Sequence, residues 1–165
     1  MSAPNFNVTL NSQLTIVETP TGPDSPTGSV VIAGYNETVN LTQASTPGVT
    51  KGTAFPVALV AGVATIDLTN LPGLTPDEIV NGTGLKVQFL KLQNPSTNAN
   101  KIVVGKGASN GIQLDGATTW SFPLAPGQSI LVNCNNATDV IGATKKNIDL
   151  AGTGTQTLNV SVTMG

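Results

Sequence analysis

Short runs in which apolar and polar residues alternate recur along the chain, and helical periodicity is almost absent. Asn7-Val8-Thr9-Leu10 and Gln13-Leu14-Thr15-Ile16-Val17 are β-branched and alternating, the pattern of half-buried strands. Thr19 to Gly28, TPTGPDSPTG, carries three prolines and two glycines. That composition holds neither a ladder nor a helix, so it reads as a long turn or linker. Strands are predicted again over Ser29–Ala33 and Glu37–Leu41.

From Phe55 the pattern strengthens. Phe55–Val60 and Val63–Leu68 are separated by Ala61-Gly62, the length of a tight hairpin. Leu71 to Gly84 holds the one helical expectation: Thr75 as N-cap, Pro76 at the first helical position and Glu78 three residues after the cap. Leu85–Leu92, LKVQFLKL, alternates until Leu90, where the break predicts a strand covered on both faces or a bulge. Lys101–Val104, Ile112–Leu114, Thr119–Leu124, Ser129–Asn133, Asn147–Leu150 and Thr157–Met164 complete the strands, and Pro126-Gly127 supplies the dihedrals of a type II turn. About ten short strands at this spacing predict an all-β fold, an antiparallel β-sandwich or jelly roll. Residues 1–28 are expected to form an extended N-terminal arm and residues 29–165 a single sandwich domain.

Charge sharpens that picture. Only 10% of residues are charged, against roughly 25% in an average soluble domain. All seven basic residues are lysines, histidine is absent, and the net charge is −2. Nucleic-acid binding rests on clustered Lys and Arg, so no nucleic-acid partner is expected. No apolar run reaches the roughly 20 residues of a membrane span, and MSAPNFNVTL lacks the basic and apolar regions of a signal peptide. The surface is polar but nearly neutral, leaving little repulsion between copies.

Candidate chemistry thins out on inspection. KIVVGKGASNG, Lys101–Gly111, looks like a phosphate loop. Its glycine spacing fits neither nucleotide fingerprint, however, and a β-rich run follows where a helix is needed. Gly105 and Gly107 are instead read as positions needing positive φ or close packing, with Lys106 as a solvated tip or edge-guarding charge. Without histidine, serine triads and most zinc sites fall away. Asp77 and Glu78 are adjacent and diverge, and most other acids border turn residues that they cap. The chain is therefore expected to be non-enzymatic and without cofactors. Asn133, Asn135, Asn136 and Asp139 offer calcium one carboxylate only, so an Asx-rich turn is preferred. The six Asn-x-Ser/Thr sequons are ascribed to composition, and Cys134 to a small buried hydrophobe. Trp120 and Tyr35, amphipathic aromatics that could stack on sugar, are assigned to core or interface.

Uncharged strand edges pair with other chains unless covered. An arm can supply that cover on a neighbour by β-augmentation, which makes Phe6, Val8, Leu10, Leu14 and Ile16 interface candidates beside Lys106 and Trp120. The series GTGLKVQFLKLQNPSTNANKIVVGKGASNG, FPLAPGQSILV and IDLAGTGTQTLNVSVTMG resembles the small β-sandwich virion structural proteins of tailed bacteriophages over roughly Val63–Gly165. The resemblance implies a particle component, such as a capsid decoration (cement) protein made in the host cytoplasm. Its partners would be the major capsid protein or other virion proteins, and the chain would form a homo-oligomer, taken as a trimer. The alternative is a tail, fibre or adhesin domain that recognises a cell-surface glycan.

Overall fold

Along Gln156–Met164 every second side chain is buried (Gln156, Leu158, Val160, Val162 and Met164), while Asn159, Ser161 and Thr163 face outward. This period of two is what a strand with one face on a core requires. The computed structural model describes residues 7–12, 15–18, 30–33, 37–73, 75, 77–114, 116, 118–134 and 138–165. Among them there is no helix. In chain order the strands are β1 (Asn7–Ser12), β2 (Thr15–Glu18), β3 (Val30–Ala33), β4 (Glu37–Thr42), β5 (Lys51–Leu59), β6 (Val63–Asp67) and β7 (Leu71–Pro72). They continue with β8 (Ile79–Val80), β9 (Val87–Gln93), β10 (Ile102–Lys106), β11 (Ser121–Leu124), β12 (Ser129–Asn133), β13 (Asn147–Ala151) and β14 (Gln156–Met164).

Eight of these strands make two four-stranded antiparallel sheets, in the orders β12-β9-β14-β5 and β11-β10-β13-β6. The pairing is nested. β5 pairs with β14, β6 with β13, β9 with β12 and β10 with β11, so the first strand of the eight meets the last, the second meets the second-last, and so inward. Each step β5–β6, β9–β10, β11–β12 and β13–β14 crosses from one sheet to the other. That is the jelly-roll form of the antiparallel sandwich. The inner faces merge into one core that includes Leu59, Ile66, Leu90, Leu92, Ile102, Val104, Ile148, Leu150, Leu158 and Val162. Full burial of each such side chain contributes about 1.5–3 kcal/mol.

The expected hairpin at Ala61-Gly62 is a tight turn with positive φ at both residues, 51° and 84°. Its arms meet only at the Val60–Val63 bridge before diverging into opposite sheets. The break in alternation near Leu90 has both anticipated causes. The β9–β14 register shifts between Thr163 and Met164, and Phe89 on the outer face is covered by Leu41 and Val49, with Val8, Leu10 and Val39 packed beside them.

Two expectations need correction. The helix from Thr75 does not form. Glu78 N–H donates to the Thr75 carbonyl and the Thr75 hydroxyl to the Glu78 carboxylate, but Asp77 has φ 66°. A left-handed residue stops a helix at its first turn, and β8 pairs with β7 instead. Ile112–Leu114 is not a strand either: Ile112 and Leu114 are buried from a loop, tied by the Gly111–Asn147 bridge and an Ile112 N–H to Asn147 carbonyl bond.

The N-terminal segment folds back on itself. β1 pairs with β4 in six register pairs from Asn7–Thr42 to Ser12–Glu37, and β2 pairs with β3 from Thr15–Ala33 to Glu18–Val30. This ribbon draws strands from both sides of the boundary expected at 28/29, whereas the eight sandwich strands lie between Lys51 and Met164. Phe6 and Leu14 fall outside the described residues, as do Tyr35, Pro76, Asn135 and Asn136.

Candidate functional site

The direction of each strand sorts the connections onto two ends of the sandwich. One end has the short links 60–62, 94–101, 125–128 and 152–155; the other has the long loops 68–86, 107–120 and 134–146. A cleft of about 550 Å³ opens at the long-loop end between the β10–β11 and β12–β13 loops. Lys106 and Trp120, nominated separately from the sequence, both line it, together with Asn110, Gln113, Asp139 and Lys145 among others.

The loop KIVVGKGASNG supplies one wall. A Cβ on Gly107 would meet Asn147 Cβ at 2.7 Å and the Asn147 carbonyl oxygen at 2.9 Å. On Gly105 it would meet the Trp120 carbonyl oxygen at 3.1 Å. Close packing, not positive φ, is therefore why glycine stands there. The left-handed position in this loop is Asn110, with φ 53°, which turns its carbonyl to accept from both Lys146 N–H (2.7 Å) and Asn147 N–H (2.9 Å). Further bonds fix the wall: Gly107 N–H to the Asn147 carbonyl and Ala108 N–H to Asp149 Oδ2. No helix follows the loop, so the convergent N–H groups of a phosphate cradle are not assembled.

Lys106, read as a solvated tip or an edge-guarding charge, ends β10, which lies between β11 and β13 and is not a sheet edge. The lysine is half-buried, and its Nζ donates to the Thr118 carbonyl of the loop that follows at 2.8 Å. Trp120 is also half-buried. Its Nε1 donates to the Ile112 carbonyl at 2.8 Å, and its ring stands 5.5 Å from that of Phe122, tilted by 37°. On the opposite wall Lys145 Nζ meets Asp139 Oδ1 at 2.7 Å. Asp139 therefore already serves a lysine, in addition to a long 3.4 Å contact from Gln113 N–H. Among the described residues no group of three or more His, Cys, Asp or Glu side chains converges. Asp77 and Glu78 are exposed at a separate turn.

A second ion pair sits at the same end, where Lys146 Nζ donates to Asp67 Oδ2. Burial of Asp67 raises its pKa, but the Lys146 bond and two bonds from Thr69 outweigh it and hold the carboxyl below the usual carboxylate range.

Val8 and Leu10 are placed elsewhere. They half-bury against Leu41, Val49 and Phe89, so in a single chain they join the ribbon to the outer face of a sheet. Ile16 lies on β2 opposite Ile32 in the ladder. The structure thus brings Lys106 and Trp120 to one cleft, while Val8 and Leu10 pack in a different cluster. The sequence reading missed Asn110, Gln113 and Lys145 as neighbours of Trp120. Asn110 and Gln113 belong to the same loop as Trp120, and Lys145 is brought to them from the β12–β13 loop by the nested strand order.

By fold this is a jelly-roll β-sandwich carrying an N-terminal β-ribbon. No protein-family model, curated protein or solved structure matches the chain.

Proposed function

We propose that the chain is a non-enzymatic structural component of a phage particle, a capsid decoration protein that binds the capsid lattice as a homo-oligomer and stabilises it. The observation that carries this reading is the ribbon. β1 with β4 and β2 with β3 each form a two-stranded sheet, so each of these strands is paired along one edge only among the described strands. The β1–β4 pair rests on Val49 and Phe89 through Val8, Leu10 and Leu41, but its open, weakly charged edges are templates for another chain. A neighbouring subunit or the major capsid protein would complete such a ribbon by β-augmentation.

An apolar tip on the sandwich supports the same reading. Val60 and Val63 are 73% and 62% exposed, on a turn anchored by Gly62 N–H to the Gly154 carbonyl and Gly152 N–H to the Gly62 carbonyl. A rigid apolar projection of this kind suits a pre-organised contact. The mechanism is mechanical: backbone and apolar groups buried across subunit boundaries raise the barrier to opening the shell. Electron microscopy of intact particles tests it. Density for the jelly roll on the capsid surface is the expected result, and purified particles that lack the chain would sink the proposal.

A further inference from the structure

The ribbon and the Val60–Val63 tip carry the assembly reading, and the cleft at the long-loop end plays no part in it. We infer that this cleft binds a saccharide carrying a carboxylate, such as a uronic acid. Its volume, about 550 Å³, lies within the roughly 300–1,000 Å³ typical of small-ligand sites. The Trp120 indole N–H is already given to the Ile112 carbonyl, so this side chain offers a ligand only ring surface. An aromatic ring with its polar handle satisfied suits the apolar C–H face of a pyranose. Asn110, Gln113 and Thr119 of the same loop line the cleft beside it, and their neutral amide and hydroxyl groups are of the kind that hydrogen-bond sugar hydroxyls.

Charge selects among sugars. Lys145 is neutralised by Asp139 at 2.7 Å. The Lys106 ammonium donates to a neutral carbonyl, that of Thr118, and among the described residues no carboxylate forms an ion pair with it. Among the described residues Lys106 is thus a cation of the cleft with no carboxylate partner, in a protein whose net charge is −2. A single carboxylate beside a sugar ring answers that arrangement. A polynucleotide, which needs many cations, does not. The walls are pre-organised, since Asn110, Gly107 and Ile112 are all bonded to β13 or its entry, so little ordering is required on binding.

Trp120 is the one tryptophan in the chain, so its fluorescence reports the site directly. Purified full-length protein titrated with an oligo-glucuronate should give a saturable emission change with a Kd at or below about 1 mM. The neutral oligoglucose of equal length should bind at least about tenfold more weakly, a difference of about 1.4 kcal/mol. Lys106→Ala should reduce oligo-glucuronate binding by a similar factor. Lys106→Gln, which keeps the stem, should do the same if the alanine variant is poorly folded. Amide shifts in wild-type protein should be confined to the two cleft loops. Absence of a saturable change up to about 10 mM, equal binding of the neutral sugar, tighter binding of a mononucleotide, or binding untouched by both Lys106 variants would each overturn the assignment. Neither outcome depends on where the chain sits on a particle.

Discussion

The two ends of the sandwich are held by different chemistry. At the short-turn end the fastening is by neutral amides. Asn94 is fully buried, donates to the Leu124 carbonyl at 2.8 Å and the Asn100 carbonyl at 3.1 Å, and accepts from Asn98 at 2.6 Å. Asn98 in turn bonds the Thr157 carbonyl, and Gln156 bonds Asn100 and Thr153. At the long-loop end sit both ion pairs found among the described residues, Asp67–Lys146 and Asp139–Lys145. Amide bonds in a buried network are insensitive to pH and salt. Partly exposed ion pairs respond to both. The bonds at the first end are thus expected to persist across pH and salt, while the ion pairs at the other weaken with both.

The sharpest way to break this contrast is Asn94→Ala. It strips the Leu124 and Asn100 carbonyls of a donor and the Asn98 amide of one of its two acceptors, and should destabilise the chain by about 2–3 kcal/mol. Denaturant unfolding measures that loss directly. In a chain of this size it corresponds to a fall in Tm of roughly 5–10 °C. The cleft fluorescence of the folded variant should stay as in wild type, since the two ends share no side chain.

Gly62→Ala attacks the same end through the backbone. Gly62 has φ 84°, and a Cβ there would meet the Gly152 carbonyl oxygen at 2.6 Å. A left-handed alanine that also crowds main chain should cost about 2 kcal/mol, again read from the unfolding midpoint.

At the long-loop end the effects are smaller and depend on conditions. The folded-state pKa of Asp67 lies below its unfolded value. Its contribution is therefore present above about pH 4 and is lost as pH falls further through the folded value. Asp67→Asn should cost no more than about 1 kcal/mol at neutral pH. It should also flatten the decline of stability below pH 4, as followed by unfolding across a pH series. The smallest effect is expected for Lys106→Ala, within about 0.5 kcal/mol in stability. A large loss there would show that the Thr118 bond fastens the loops and would erase the contrast between the ends.

Much of the strand map was legible in the sequence. The alternation in Thr157–Met164 and Asn147–Leu150 names the residues that β14 and β13 bury. The irregularity at Leu90 marks a strand with Phe89 covered on its outer side. Thr75 and Glu78 do meet, as a capping pair should, but the left-handed φ of Asp77 keeps that contact from starting a helix. Local signals of this kind are readable because each concerns a few consecutive residues and a period fixed by backbone geometry. The cleft was only half legible. Lys106 and Trp120 stood out as residue types, yet Asp139 and Lys145 reach them through a loop some thirty residues further on, and no local pattern encodes that approach.

Residue order alone thus settled an all-β chain with a sparsely charged surface, no histidine chemistry and a proline-rich break between two successive strands. These follow from composition and from a period of two, which act locally. The tertiary structure alone decided that the eight sandwich strands pair from the outside inward and that the N-terminal strands close on β3 and β4. It also decided that a lysine read as a solvated tip or an edge-guarding charge bonds the Thr118 carbonyl in a cleft that the single indole lines too. Strand partners are chosen by burying two sheet faces against each other at once, a global condition that no short stretch of residues can satisfy alone.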